Sequence, residues 1–355
     1  MPNLTNSNGS SGSAINSSTS VSAFELPSRT YVNGWLALST VCTLMGSGCL
    51  LLLMATSFRR TRLHSGANVL VINLMVMELF ICGISTPIQL ITTYAGLTRG
   101  HIHIDCHLWM YCQISLVWAE NWAATVLAVN RLFALALPHQ YKALTSKPGL
   151  VTMVILPWLI GLGGNLPTFF GIGGNFILRL TPFETCTLGI NPSGTSAGYG
   201  VAWVTLGTFL PMALIGGIYI FLGGGWIVRH VLLNRKKNHV FPGQNGQAKP
   251  TGTPNKARQI ALAKMLVGSY IWHCLCFLPP PILISSFPWL AMRHPLLVQL
   301  WLNKTVNICG YMISPFIFLA LSTDYQTGLK DLIRIRPHRT DHASRRVPTV
   351  TSSVL

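Results

Sequence analysis

Glu78 and Glu120 are the only acidic residues inside the long apolar stretches of this chain. A carboxylate in such surroundings can hold a cation, share a proton, or sit protonated and hydrogen-bonded as internal glue. Its cost in hydrocarbon makes function the default hypothesis. Arg131 stands 25 residues after Cys106, and at ~1.5 Å per residue that separation exceeds the ~30 Å hydrocarbon core of a bilayer. The two residues therefore bracket one full crossing. Other chemistries are missing from the pattern. There is no phosphate-cradling glycine motif, no His/Cys cluster on metal-ligand spacing and no recognisable nucleophile–base pair. Enzyme activity is not expected.

The elements that must position these residues are apolar helices. Only 9% of the 355 residues are charged, against about 25% in a soluble domain, and 50% are hydrophobic. Thr30 to Phe58, Leu79 to Thr98, Pro148 to Leu178, Thr185 to Val228, Met265 to Met292 and Thr305 to Thr323 contain no Asp, Glu, Lys or Arg. His107 to Asn130 is interrupted by Glu120 alone. Each run reaches the ~18–20 residues of a spanning helix. The expectation is an all-α membrane protein, a seven-transmembrane helix bundle with spans near 33–58, 68–93, 105–136, 150–171, 199–229, 259–288 and 297–321.

The net charge of +17 would suit nucleic acid, but its distribution speaks for a bilayer. With the N-terminus outside, 20 of the 25 Lys and Arg fall on inner segments; Arg29, Arg99, Arg179, Arg293 and Lys304 do not. This positive-inside bias places the C-terminus in the cytoplasm, facing anionic lipid and cytoplasmic partners. Residues 1–32 read as a disordered outer tail with sequons at Asn3, Asn8 and Asn16. The tail has no apolar core of a cleaved signal, so the first span is expected to serve for insertion. Of nine cysteines, Cys106 and Cys186 fall in outer, oxidising segments, with Cys112 as a rival partner.

The bundle is expected over 33–321, with a flexible inner loop at 238–256. An amphipathic helix at 322–336 follows, with Leu329, Leu332 and Ile333 on one face and Lys330, Arg334 and Arg336 as cations. Residues 337–355 read as a disordered cytoplasmic tail. Its end, Ser353-Val354-Leu355, suits strand addition to a PDZ domain. Pro87, Pro157, Pro167, Pro211, Pro279 and Pro315 each remove a backbone donor and mark expected kinks.

In this order the motifs resemble the rhodopsin-like (class A) G protein-coupled receptors, over about residues 33–335. Asn73-Leu74 with Glu78 resembles the second-helix signature, with Glu where Asp is usual. Cys106 and Cys186 match the outer disulfide, and Asn130-Arg131-Leu132 sits where Asp-Arg-Tyr is expected. Trp158 and Pro211 match the fourth- and fifth-helix markers. Cys276-Phe277-Leu278-Pro279 resembles Cys-Trp-x-Pro, and Ser314-Pro315-Phe316-Ile317-Phe318 stands for Asn-Pro-x-x-Tyr. The usual first-helix Asn is missing, and Leu132 and Phe318 lack hydroxyls. The Asn-Arg start is similar to the melatonin and moody-type receptors.

The resemblance implies a disulfide between Cys106 and Cys186, and a G protein engaged at Asn130, Arg131 and Leu132. It implies an activation switch at Phe277, Pro279, Ser314, Pro315 and Phe318. Glu78 would take the family's sodium position, with Glu120 on the facing helix. Two close carboxylates cannot both ionise cheaply, so the pair would share a proton or hold one sodium ion. Gln113 stands where amine receptors keep an Asp, and Ile308 where opsins keep a Lys, so neither a biogenic amine nor retinal is expected. Lys304 falls at a pocket-facing position. With Arg179 it could hold an anionic head group, or it could snorkel to the surface. Gln113, Asn307 and Trp301 complete the expected pocket. The implied function is an extracellular ligand signal passed to a heterotrimeric G protein at the plasma membrane. The alternatives are a proton- or sodium-coupled carrier and a non-coupling receptor-like surface protein.

Overall fold

A computed structural model describes residues 27–59, 68–100, 104–179, 183–189, 196–238 and 267–333. The sequons Asn3, Asn8 and Asn16, the loop 239–256, Arg334, Arg336 and Ser353–Leu355 lie outside the described residues. Eight helices carry the fold: α1 (Arg29–Arg59), α2 (Asn68–Thr98), α3 (Cys106–Ala136) and α4 (Lys147–Phe169) come first. α5 joins Ser196–Val204 to Leu210–Asn238 through a π turn at Thr205–Phe209. α6 is residues 267–277 and, after a break at Leu278, Pro279–Ser286. α7 is Leu296–Leu321 and α8 is Thr323–Ile333.

Six of these are long and apolar enough to cross a membrane on length and composition. α3 is as long, 31 residues, but falls outside that set. It is the span the sequence showed to be interrupted by Glu120, and its more polar composition fits its position. α3 packs against α2, α4 and α5, and buries Glu120, Asn121, Asn130 and Arg131. The polarity is inverted relative to a soluble protein. Leu44, Leu159, Val201, Ile220 and Phe221 lie on the outside, while Ser39, Thr43, Asn121, Asn165 and Thr168 are buried. That is the arrangement of a bundle solvated by lipid.

Small residues let the helices close. A Cβ on Gly161 of α4 would lie 2.4 Å from the Ser115 carbonyl oxygen of α3. Asp105 caps α3, accepting from His107 N at 2.9 Å, and Ser146 caps α4, accepting from Gly149 N at 3.4 Å. One element was not expected in an all-helical reading. Asn175–Arg179 (β1) pairs antiparallel with Thr185–Gly189 (β2), and this hairpin carries Cys186.

The prolines act unequally. Pro157, Pro167 and Pro315 lie inside unbroken helix. Pro87 and Pro211 each follow a π turn, Ile81–Ser85 and Thr205–Phe209, and Pro279 follows the break in α6. α7 opens with a longer π stretch, Leu296–Thr305. Each wide stretch has a carbonyl met by a side-chain donor. Thr86 Oγ1 donates to Ile81 O at 2.9 Å and Thr305 Oγ1 to Leu300 O at 3.0 Å. In α5 the donor comes from another helix: Asn121 Nδ2 of α3 reaches Gly207 O at 2.8 Å. Buried carbonyls in lipid need such partners. α8 is anchored by Tyr325, which is buried and meets Ser57 of α1 at 3.4 Å.

Candidate functional site

The middle of the bundle holds a cavity of about 50 Å³, room for a few water molecules. Glu78 of α2 and Glu120 of α3 both line it, with Asn121, Tyr219, Ser269, Tyr270, His273 and Phe318. Each carboxylate is held by a hydroxyl on α7. Ser314 Oγ donates to Glu78 Oε1 at 3.1 Å, and Tyr311 Oη donates to Glu120 Oε2 at 2.8 Å. Glu78 Oε2 is buried with no hydrogen-bond partner. Neither carboxylate meets a cationic side chain among the described residues.

An aromatic chain runs from this site into α6. Tyr311 packs edge-on against Phe277 with ring centroids 4.8 Å apart, and Phe277 stacks on His273 at 4.1 Å. Gly310 makes this contact possible: a Cβ there would lie 2.7 Å from the Phe277 ring. Phe277 sits immediately before the Leu278 break, so a shift of the outer part of α6 bears directly on the tyrosine that holds Glu120. The sequence pointed to Phe277 but not to Tyr311, whose role depends on the α3–α7 approach.

Towards the other end of α3, Arg131 is 2% exposed and Asn130 fully buried. Asn130 Nδ2 faces Met153 Sδ of α4 at 3.8 Å, and its Oδ1 has no hydrogen-bond partner. The Asn130 oxygen therefore makes no hydrogen bond to Arg131. Behind it, Trp158 Nε1 of α4 donates to Asn73 Oδ1 of α2 at 3.4 Å.

At the opposite end Cys106 is bonded to Cys186, tying the β hairpin to α3, while Cys112 is free and exposed.

Residues 49–322 match the seven-transmembrane receptors of the rhodopsin family. The chain belongs to that family. It is accordingly a multi-pass membrane protein of a receptor family and not of an enzyme family. Named relatives are 5-hydroxytryptamine receptor 1B of mouse, 28% identical, and of dog, 29% identical. The mouse match covers 41% of this chain and 36% of the relative, and the dog match 38% and 34%. The chain thus spans little more than a third of the relatives it matches. These relatives are serotonin receptors, so the melatonin- and moody-type likeness rests on the Asn130-Arg131 start alone.

The expected ligand residues differ in exposure and in bonding. Arg179 is exposed at the end of β1. Lys304 is 7% exposed and donates to Thr93 Oγ1 of α2. It therefore does not snorkel to the surface. It lies buried between α2 and α7, within the π stretch of α7. Gln113 Oε1 and Asn307 Oδ1 are buried without hydrogen-bond partners. Trp301 Nε1 instead bonds Tyr31 Oη of α1. Two polar links went unnoticed in the sequence. Trp203 of α5 donates to Asn165 of α4 at 2.9 Å, and Asn121 holds the α5 π turn. The signal for both was a lone Asn in an apolar run.

Proposed function

We propose that the protein is a G protein-coupled receptor of the plasma membrane. A ligand bound at the disulfide end shifts a balance between two helix packings, and the Arg131 end then engages a heterotrimeric G protein. Charge distribution supports an extracellular N-terminus. The observation that carries the reading is the mid-bundle cavity, in which both buried carboxylates are held by α7 hydroxyls beside the α6 break. Movement of α6 or α7 must then rearrange the bonding of Glu78 and Glu120.

Those two residues with Ser314 fit a small hard cation. The free Glu78 Oε2, the neighbouring hydroxyls and the cavity volume supply oxygen ligands and space. A sodium ion there would neutralise the carboxylates; without it the pair would share a proton. The relatives are named for 5-hydroxytryptamine, but Gln113 gives a cationic amine no carboxylate at the expected position, so the ligand is taken to be of another class.

The test is nucleotide exchange on purified G proteins by the purified receptor. Acceleration over receptor-free controls supports coupling. No acceleration with any G protein class, together with transport of a labelled solute in vesicles, would favour a carrier instead.

A further inference from the structure

Lys304 is a buried cation whose surroundings offer no anion. Its Nζ bonds the Thr93 hydroxyl, and among the described residues no carboxylate pairs with it. A lone ammonium taken out of water costs several kcal/mol, which one neutral hydroxyl does not offset. The neighbours are apolar. Leu300 and Ile308 flank Lys304 by one helical turn on α7, and Leu90 and Leu97 flank Thr93 on α2; all four belong to one buried cluster. Phe183, between the two hairpin strands and just before β2, closes that cluster at the disulfide end. One turn from Lys304 on α7, Asn307 Oδ1 is buried without a hydrogen-bond partner.

The rim carries the same sign. Arg99, Arg179 and Arg293 are exposed at the disulfide end. Of the two described carboxylates there, Asp105 is occupied in capping α3. A cationic ligand would be repelled by this end, and an anion drawn to it.

We infer that Lys304, bonded to Thr93 and one turn from Asn307 beside an apolar cluster, is the anchor for an amphiphilic ligand with an anionic head and a long apolar body. The inference deepens the receptor reading above and rests on it. The head, a carboxylate or phosphate monoester, accepts from Lys304 and Thr93, and a protonated or hydroxylated head donates to Asn307 Oδ1. The body replaces apolar contacts among the helices. A charge-assisted bond in a dry site provides both affinity and selection against neutral analogues.

The full chain in phosphatidylcholine nanodiscs is offered labelled oleate, lysophosphatidate or methyl oleate. One or both anions are expected to bind, and the ester to bind at least tenfold more weakly. Oleate binding alone, or lysophosphatidate binding alone, identifies the head group. Lys304→Met should weaken the bound anion roughly ten- to hundredfold, and Lys304→Arg only a few-fold. Unliganded Lys304→Met should melt no lower than the parent, since an uncompensated charge is removed; this separates lost binding from lost folding. Equal binding of methyl oleate, unchanged binding by Lys304→Met, or binding of neither anion overturns the inference. Anion binding through Lys304 without stimulated nucleotide exchange leaves this site standing and counts against the receptor reading alone.

Discussion

Tyr311 of α7 donates its phenolic hydroxyl to the Glu120 carboxylate of α3 at 2.8 Å, and both groups are buried. The bond joins helices 191 positions apart in sequence at the depth where Phe277 meets the tyrosine ring. It makes Tyr311 the link between the carboxylate pair and the hinge of α6.

Each end of this bond can be tested separately. Tyr311→Phe leaves Glu120 Oε2 without its partner, at a cost of about 1–3 kcal/mol. A lower melting temperature in detergent is the expected result. Glu120→Gln keeps an acceptor for Tyr311 but removes an ionisable group. It should alter the sodium or pH sensitivity of nucleotide exchange while the fold persists; a response identical to the parent under both variations would discard the ion or proton role.

Asn130 offers Arg131 only a neutral side chain, a weaker restraint than a carboxylate, and its amide nitrogen faces Met153. Appreciable exchange without ligand is expected. Asn130→Asp supplies a charge that can pair with the neighbouring arginine, and should lower that basal rate several-fold. An equal or higher basal rate would show that the restraint lies elsewhere.

Two glycines of one helix should behave oppositely. Gly161→Ala places a Cβ against the α3 backbone at 2.4 Å, whereas at Gly163 nothing lies within 4 Å. Helix separation costs about 1–3 kcal/mol or more in the first case. In the second, alanine should be neutral or stabilising by up to about 1 kcal/mol. Thermal melts of both variants, run side by side, decide it.

Cys106→Ser opens a bridge between residues 80 apart in sequence. A loss of about 2–5 kcal/mol is expected, as for other native disulfides. The same change in exposed Cys112 should leave the melting temperature within error.

The bundle was legible in the sequence because lipid imposes a coarse rule: runs of apolar residues about twenty long must become helices. α3 broke that rule locally, since its neighbours shield Glu120, Asn130 and Arg131 and relieve it of facing lipid. The disulfide and the placement of Glu78 and Glu120 near one another were readable through motif order. Their hydroxyl partners were not. Ser314 and Tyr311 become partners only through a particular rotation of α7, which spacing along one strand of sequence does not specify. The same holds for Lys304. Its position on the chain left an inward and an outward aim equally open, and only the packing of α7 against α2 shows that it points inward. The β hairpin was hidden because Thr185 to Val228 reads as one apolar run, although its first residues pair as strand.

The wide winding of Leu296–Thr305 has a further effect, on phase. It accommodates at least one residue more than ordinary α-helical winding would, which offsets the side chains before it by about 100°. Deleting a single residue there would screw the start of the helix around its axis, swinging Leu297 off the lipid face. The Pro315 half would stay in register. A length change in this one segment would thus re-aim the disulfide end of α7 without disturbing its hold on Glu78 and Glu120.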